Sequence, residues 1–191
     1  MSAPLTPGSV PEHQSEAASA YRRALRRRLV EQRLALSARD CARLSAAICA
    51  NLRDNFPQIA TMRVGFCWPI KNEPDLRPLM ESFIKSGKAG FSALMPVVVD
   101  TNSALAFRTW TPDGRMLNDR YGIPTPADSA FLTPEVLLLP VNAFDAAGYR
   151  LGYGGGFFDR TLATLEPRPL SIGVGFELAR VDSIRPQGHD V

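Results

Sequence analysis

The sequence predicts an α/β fold, a three-layer sandwich around a mainly parallel twisted sheet, preceded by N-terminal helices. Two observations support this prediction. First, an apolar run at 62–68, a helical segment and a second apolar run at 90–96 follow one another along the chain. That order is typical of a βαβ unit with parallel strands. Second, the run EVLLLP at 135–140 is apolar without alternation, as in strands that helices cover on both faces.

The N-terminal part divides into a leader and two helices. Residues 1–19 are rich in Pro, Ser, Gly and Ala, which predicts a disordered leader. Residues 20–191 then form a single domain, consistent with a chain of 191 residues. Leu25, Leu29, Arg33 and Leu36 recur at about one helical turn, which predicts the first helix. Ser37 is an expected N-cap for a second helix that stops before Pro57.

The remaining elements follow from apolar runs and from glycine and proline. Pro74 is expected to open the helix after the first strand, and Gly87 to end it. Residues 104–110 predict another strand, and 118–134 a proline-rich surface connection. A glycine-rich segment, a helix near Phe157 to Leu165 and a strand at 170–176 complete a second βαβ-like unit.

Composition excludes several classes of protein. The net charge is +3, and the basic excess is concentrated between Arg22 and Arg33, too locally for a nucleic-acid-binding protein. No run approaches the roughly 18 apolar residues of a membrane span. The three cysteines lack CxxC spacing, which argues against a disulfide framework or a zinc site. We therefore expect a monomeric cytoplasmic protein that binds neither nucleic acid nor membrane.

The strongest functional signal is the segment RLGYGGGFFDR at 150–160. Its four glycines precede a predicted helix, where free N–H groups and the helix dipole favour an anion. Arg150 and Arg160 flank the segment and suit phosphate oxygens, and Asp159 is placed to anchor magnesium. The segment is neither a Walker A sequence nor GxGxxG. It is therefore a phosphate-loop candidate, or else a structural turn with Asp159 as a helix N-cap.

Two other segments carry candidate site residues, each with an alternative interpretation. Glu73 follows the first strand and the glycine-rich segment follows the strand at 135–140. Because ligands of open α/β sheets bind at the carboxyl ends of strands, both segments should lie at the same edge. Glu73 either orients a second substrate or is a first-turn acid favoured by the helix dipole. Trp68 either stacks on a flat heterocycle or belongs to the core. Arg22 and Arg26 share a helix face that either contacts phosphates or is simply solvated.

These segments together resemble the 5-formyltetrahydrofolate cyclo-ligase family. Residues 140–162, PVNAFDAAGYRLGYGGGFFDRTL, are similar to the family signature P-x-x-A-F-D-x-x-G-x-R-L-G-x-G-x-G-[FY]-Y-D-R-x-L. Shorter matches stand at 22–26, 72–79, 121–124 and 189–191. The likeness covers the chain from about Arg22 onward and implies the family's α/β sandwich around a mainly parallel sheet.

The resemblance also implies the site. ATP would be bound by Arg22, Arg23, Ala24, Leu25, Arg26, Arg150, Leu151, Gly152, Tyr153, Gly154, Gly155, Gly156, Phe157 and Phe158. The folate substrate would be bound by Trp68, Glu73, Tyr153, Gly154, Gly155, Gly156 and Phe157. Asp159 and Asp190 would bind Mg²⁺. No residue is assigned a catalytic role beyond binding.

The implied reaction is the ATP-dependent cyclisation of 5-formyltetrahydrofolate to 5,10-methenyltetrahydrofolate, with release of ADP and phosphate. The sequence departs from the family pattern at three matched positions: Arg22 replaces lysine, Phe158 replaces tyrosine, and Thr125 replaces glutamate. The Phe158 departure motivates an alternative, a paralogue that binds nucleotide or folate without efficient turnover. An RNA-binding module built on the basic helix is a further alternative.

Overall fold

The computed structural model describes residues 12–186. In chain order the elements are α1 (Glu12–Leu34), α2 (Ala38–Asn55), a 3₁₀ helix (Pro57–Thr61), β1 (Arg63–Gly65), α3 (Arg77–Ser86), β2 (Ser92–Val97), β3 (Ala106–Thr109), β4 (Met116–Asn118), β5 (Pro124–Pro126), β6 (Val136–Pro140), β7 (Ala143–Phe144), β8 (Arg150–Leu151), α4 (Phe157–Thr164), β9 (Leu170–Val174) and a second 3₁₀ helix (Glu177–Ala179). Within this range, no helix has the length and apolar character needed to cross a bilayer.

Five strands form the central sheet, in the order β3-β2-β1-β6-β9. Strands β1, β2, β6 and β9 run parallel, and β3 joins the edge of β2 in the antiparallel direction. The β1–α3–β2 unit extends the sheet one way from the β1–β6 pair, and the β6–α4–β9 unit extends it the other way. Such a reversal leaves a crevice at the carboxyl ends of the central strands, which is where open α/β sheets bind ligands.

Helices cover both faces of the sheet. Successive side chains of β6 point to opposite faces, so Val136 and Leu138 pack in the core under α2 and α3, whereas Leu137 and Leu139 pack with α4. All four are nearly inaccessible to solvent. The continuous apolar run at this strand is thereby explained, and the predicted three-layer sandwich is confirmed.

Helix α1 packs on a separate small core. Its buried Leu25 and Leu29 contact Ala143 and Leu151 of the β7–β8 hairpin, together with Ile184. This packing places one side of α1 beside the segment that follows β8, at the carboxyl ends of the central strands. The helix therefore contributes to the site although it lies outside the sheet sandwich.

The predicted capping residues of α2 and α3 are confirmed. The Ser37 hydroxyl accepts a hydrogen bond of 3.1 Å from the Asp40 N–H at the start of α2. Gly87 ends α3 with a φ of 63°, in the left-handed region that glycine adopts without strain. The start of α3 was predicted too early. The helix begins at Arg77 rather than Pro74, because the Asp75 side chain accepts from the Arg77 N–H and closes a turn before the first helical residue.

The predicted leader is corrected in part. Helix α1 begins at Glu12, so the predicted disordered leader is wrong for residues 12–19; residues 1–11 lie outside the described part of the chain.

Two hairpins were not predicted. The connection at 118–134 contains the turn and the second strand of the β4–β5 hairpin, whose turn is closed by Asp119 accepting from the N–H groups of Tyr121 and Ile123. A second hairpin, β7–β8, stands between β6 and the glycine-rich segment.

Candidate active site

The carboxyl ends of β1, β2 and β6 open onto a cleft of about 1310 Å³. Residues after β1 and β6 form its base, one side of α1 forms a wall, and the turn of the β4–β5 hairpin forms another. The cleft therefore lies at the reversal point of the strand order, where the topology predicts a ligand.

The glycine-rich loop, residues 152–156, crosses this cleft and is held from two sides. Arg26 of α1 donates from Nε to the carbonyl oxygen of Gly152 at 2.7 Å. Arg160 of α4 donates from Nη2 to the carbonyl oxygen of Gly155 at 3.0 Å. Gly154 and Gly156 have φ values of 93° and 65°, which other residues adopt only with strain. Because Gly156 is the N-cap of α4, the loop ends at a helix N-terminus, a favourable position for phosphate.

Glu73 is a buried carboxylate that lines the same cleft. Its side chain is 4% exposed, and its Oε2 accepts a hydrogen bond of 3.0 Å from the Ile70 N–H. Burial raises the pKa of Glu73, while the hydrogen bonds from Ile70 and Tyr153 and the positive charge of Arg33 act against that rise. An ionised carboxylate has more acceptor sites than the hydrogen bonds from Ile70 and Tyr153 occupy. The buried Glu73 is therefore suited to binding an amine or amide of a ligand.

Tyr153 links the glycine-rich loop to Glu73. The hydroxyl of Tyr153 donates to Glu73 Oε1 at 2.9 Å and accepts from Arg33 Nη2 at 2.7 Å. Burial, followed by the negative charge of Glu73, raises the pKa of the Tyr153 phenol, which therefore keeps its proton and remains a donor. The two segments that the sequence placed at one edge of the sheet are thus in direct contact.

Arg33 is a residue of this site that the sequence reasoning did not select. It is 4% exposed, and its other donors reach the Lys71 carbonyl oxygen at 2.8 Å and Asn142 Oδ1 at 3.0 Å. The sequence does carry a signal for it. Arg33 continues the apolar stripe of Leu25 and Leu29, and a charge in such a stripe needs buried partners.

Trp68 fits both interpretations that the sequence allowed. Its side chain lines the cleft and also packs against the core under α2 and α3. The Arg77 guanidinium lies 4.3 Å from the centroid of its ring, and that arginine is in turn fixed by Asp75 at 2.7 Å. The indole is therefore held in one orientation at the edge of the cleft.

Most of the predicted binding residues line one cleft. Those that do are Arg22, Arg23, Arg26, Trp68, Glu73, Arg150, Gly152, Tyr153, Gly154, Gly155, Gly156, Phe157, Phe158 and Asp159. Three predicted residues do not line it. Leu25 and Leu151 are buried in the core beneath α1, and Ala24 is exposed elsewhere on that helix. Asp190 lies outside the described residues. The turn residues Asp119 and Tyr121 line the cleft and were not predicted.

Of the two predicted magnesium ligands, Asp159 lies within the described residues. It lies in the first turn of α4, and its Oδ1 accepts from Arg150 Nη2 at 2.8 Å. The N-cap of α4 is Gly156, so the interpretation of Asp159 as a helix N-cap is wrong. Across residues 12–186, no group of three or more His, Cys, Asp and Glu side chains is arranged to bind a metal. These residues alone therefore do not complete a magnesium site.

Comparison with known proteins identifies the family. The sequence profile of the 5-formyltetrahydrofolate cyclo-ligase family matches residues 18–191. The chain belongs to the 5-formyltetrahydrofolate cyclo-ligase family. A cyclo-ligase from Escherichia coli K12 is 33% identical over 112 residues, which are 56% of this chain and 60% of the relative. The chain thus matches somewhat less than two thirds of the length of that relative.

Solved structures of cyclo-ligase relatives share the fold. The 5,10-methenyltetrahydrofolate synthetase of Aquifex aeolicus superposes with a TM-score of 0.75 at 25% identity, covering 89% of this chain and 85% of that one. The synthetase of Mycoplasma pneumoniae gives a TM-score of 0.70 at 22% identity, covering 89% and 93%. The α/β sandwich of this cyclo-ligase family member is therefore the fold of the synthetases.

Proposed function

We propose that the chain catalyses the ATP-dependent cyclisation of 5-formyltetrahydrofolate to 5,10-methenyltetrahydrofolate, with release of ADP and phosphate. The observation that carries the proposal is the 2.9 Å hydrogen bond between Tyr153 and Glu73. It places a phosphate-loop candidate and a buried carboxylate in one cleft, as a reaction between a nucleotide and a second substrate requires. Membership of the cyclo-ligase family supports the identity of the two substrates.

The nucleotide phosphates bind at the glycine-rich loop. Backbone N–H groups around Gly154 and at the start of α4 supply donors, and Arg150 supplies a guanidinium at the rim. From α1, Arg22, Arg23 and Arg26 line the same side of the cleft. Four arginines beside a loop that ends at a helix N-terminus match the charge of a triphosphate.

The folate binds on the side of Glu73. The carboxylate accepts hydrogen bonds from N–H groups of the pterin, and the Trp68 indole forms part of the wall beside it. Glu73 is held by Ile70 and Tyr153 before a ligand arrives. Preorganised acceptors of this kind orient a substrate without reorganising during the reaction.

ATP converts the formyl oxygen, which is a poor leaving group, into a phosphate ester that can leave. The N5-formyl oxygen attacks the γ-phosphorus, the bond from that phosphorus to the bridging oxygen breaks, and ADP departs with the electron pair. The folate then carries a formyl carbon activated as an imidate phosphate. N10 adds to this carbon and loses its proton, and the C–O bond breaks to release phosphate. The protein positions the reactants and neutralises charge, as in phosphoryl transfer generally.

Magnesium enters this scheme with the nucleotide. Asp159 is half-exposed, and one of its oxygens is engaged by Arg150. A single carboxylate can bind Mg²⁺ whose other ligands are phosphate oxygens and water. We therefore assign Asp159 one contact with the magnesium of MgATP, and keep Asp190 as the proposed second ligand.

The free cysteines support a cytoplasmic location. Cys41, Cys49 and Cys67 form no disulfide, a state that reducing compartments maintain. We propose that the reaction takes place there.

An absorbance assay tests the proposed function. Methenyltetrahydrofolate absorbs near-ultraviolet light that the formyl substrate does not, so purified protein with ATP, Mg²⁺ and 5-formyltetrahydrofolate should give a rising signal. Omitting ATP should abolish it. No ATP-dependent rise at high protein concentration, from protein that still binds both ligands in calorimetry, would instead support the paralogue that binds without turnover.

A further inference from the structure

Arg33 is a buried cation whose donors reach three different segments around the cleft. Its Nη2 reaches Tyr153 of the glycine-rich loop, its Nε the Lys71 carbonyl oxygen, and its Nη1 the Asn142 side chain. Removing an arginine from water is costly unless its donors are matched. Two of these partners belong to segments that carry proposed binding residues: Lys71 lies near Glu73 in the chain, and Tyr153 is in the glycine-rich loop.

One end of the Arg33 guanidinium lies beside Glu73. Arg33 Nη2 lies 3.9 Å from Glu73 Oε1, and the Tyr153 hydroxyl stands between them, accepting from the arginine and donating to the carboxylate. The side chains of Arg33 and Glu73 are 5% and 4% exposed. Tyr153 and Glu73 line the cleft, whereas Arg33 does not. Arg33 therefore acts on the site through these two residues.

We propose that Arg33 is a positioning residue that fixes the distance and orientation between Glu73 and the glycine-rich loop, and keeps Glu73 ionised for folate. The inference rests on the proposed function, since it assigns Glu73 to the folate and the loop to ATP. With Arg33 in place, the carboxylate and the loop are aligned before either substrate binds. Without it, the Tyr153 hydroxyl loses the donor that orients it and Glu73 loses its nearest full positive charge.

The ionisation of Glu73 depends on few neighbouring groups. The titratable groups that face it are Arg33 from α1, Tyr153 from the glycine-rich loop, and Lys71 and Cys67 from its own side of the cleft. Tyr153 keeps its proton, so Arg33 and Lys71 supply the positive charge. Loss of a nearby opposite charge raises a carboxyl pKa.

The test compares Arg33→Met with Tyr153→Phe by the pH dependence of folate use. Arg33→Met should move the acid limb of kcat/KM for 5-formyltetrahydrofolate to higher pH. Tyr153→Phe, which removes the hydroxyl between the two charges and its hydrogen bond to Glu73, should move it in the same direction. Arg33→Lys should restore part of the shift, because the charge is kept while the fork geometry is lost.

Arg108→Met is the matched control for loss of a partly buried arginine. Arg108 lies on β3 outside the cleft, where it contacts the Phe131 ring and the Ala127 carbonyl oxygen. Its loss should lower the melting temperature and leave the acid limb in place. If Arg33→Met also lowers Tm but leaves the acid limb in place, the inference is overturned.

Two further measurements keep the outcome decisive. If Arg33→Met does not fold, an acid limb unchanged in Tyr153→Phe overturns the inference. Calorimetric binding of 5-formyltetrahydrofolate without ATP, measured across the same pH range, follows Glu73 without requiring turnover. Wild-type protein that binds folate with the expected pH dependence but forms no product refutes the proposed function alone. Protein that does not bind folate refutes both.

Discussion

Arg26 donates a hydrogen bond of 2.7 Å from Nε to the carbonyl oxygen of Gly152, and its guanidinium lies against the backbone of Gly154. Helix α1 is thereby tied to the glycine-rich loop across 126 residues of sequence. A cation is thus held beside the backbone that is proposed to bind phosphate, and a side chain at position 154 would enter the space between them.

Gly154→Val should block ATP binding. A Cβ at position 154 would lie 3.3 Å from Arg26 Cζ, and the φ of 93° is strained for any branched residue. The dissociation constant for ATP, measured by calorimetry, should rise by about tenfold or more, which corresponds to about 1.4 kcal/mol.

Gly148→Val is the matched control for that change. Gly148 has a φ of 87°, but an added Cβ meets no atom within 4 Å, and the residue does not line the cleft. Both variants should lose stability through backbone strain, whereas ATP affinity should fall only in Gly154→Val. Equal ATP affinity in the two variants would remove the loop from the nucleotide site.

Glu73→Gln should impair folate use while ATP binding remains nearly intact. The amide keeps the shape of the side chain but has only one acceptor oxygen and no charge. We expect kcat/KM for 5-formyltetrahydrofolate to fall about 10- to 100-fold, the range for losing hydrogen bonds to a charged group. Glu135→Gln is the control, since Glu135 pairs with Arg63 at the other end of the sheet and is 40% exposed. A parallel loss of ATP and folate affinity in Glu73→Gln would make Glu73 a structural residue.

Folate use should fail in acid at a higher pH than an ordinary glutamate would predict. Burial raises the pKa of Glu73, so the carboxyl is protonated at pH values where a surface glutamate is still ionised, and it then accepts fewer hydrogen bonds. The acid limb of kcat/KM for the folate should therefore lie above the usual pKa of about 4.3. It should disappear in Glu73→Gln. An acid limb that persists in that variant would belong to another group.

Asp159→Asn should increase the magnesium concentration needed for half-maximal activity. The substitution removes the negative charge that we assign to MgATP and weakens the contact with Arg150. Asp128→Asn is the control, because Asp128 pairs with Arg115 at the same 2.8 Å distance but does not line the cleft. Titration of activity against Mg²⁺ at saturating ATP measures the effect. An unchanged titration curve in Asp159→Asn would exclude this residue as a magnesium ligand.

The parts of the fold predicted from sequence were those specified by local patterns. The apolar run at 135–140 predicts a strand covered on both faces, and Ser37 and Gly87 predict helix ends by their own chemistry. The β4–β5 hairpin was missed because Pro124 and Pro126 suggest irregular structure. Its turn depends on the Asp119 side chain, whose role becomes visible only once the chain has folded.

The candidate site was predicted in outline but not in its connections. Both Glu73 and the glycine-rich loop follow predicted strands, which places them at one edge of a parallel sheet, and the structure brings them into contact. Arg33 was missed because its partner Tyr153 is 120 residues away. The positions of Leu25 and Leu151 in the core beneath α1 likewise depend on long-range packing. Local sequence therefore indicates which segments form the site, whereas tertiary contacts decide which side chains face it.

Transfer of an isotope from the formyl group to phosphate tests the central claim most directly. If the formyl oxygen attacks the γ-phosphorus in this cleft, 5-formyltetrahydrofolate labelled with ¹⁸O in the formyl group should yield one labelled phosphate for each methenyltetrahydrofolate formed. Mass spectrometry of the released phosphate measures this. Methenyltetrahydrofolate accompanied by unlabelled phosphate would contradict the account, because the oxygen would then leave by a route that does not pass through the nucleotide.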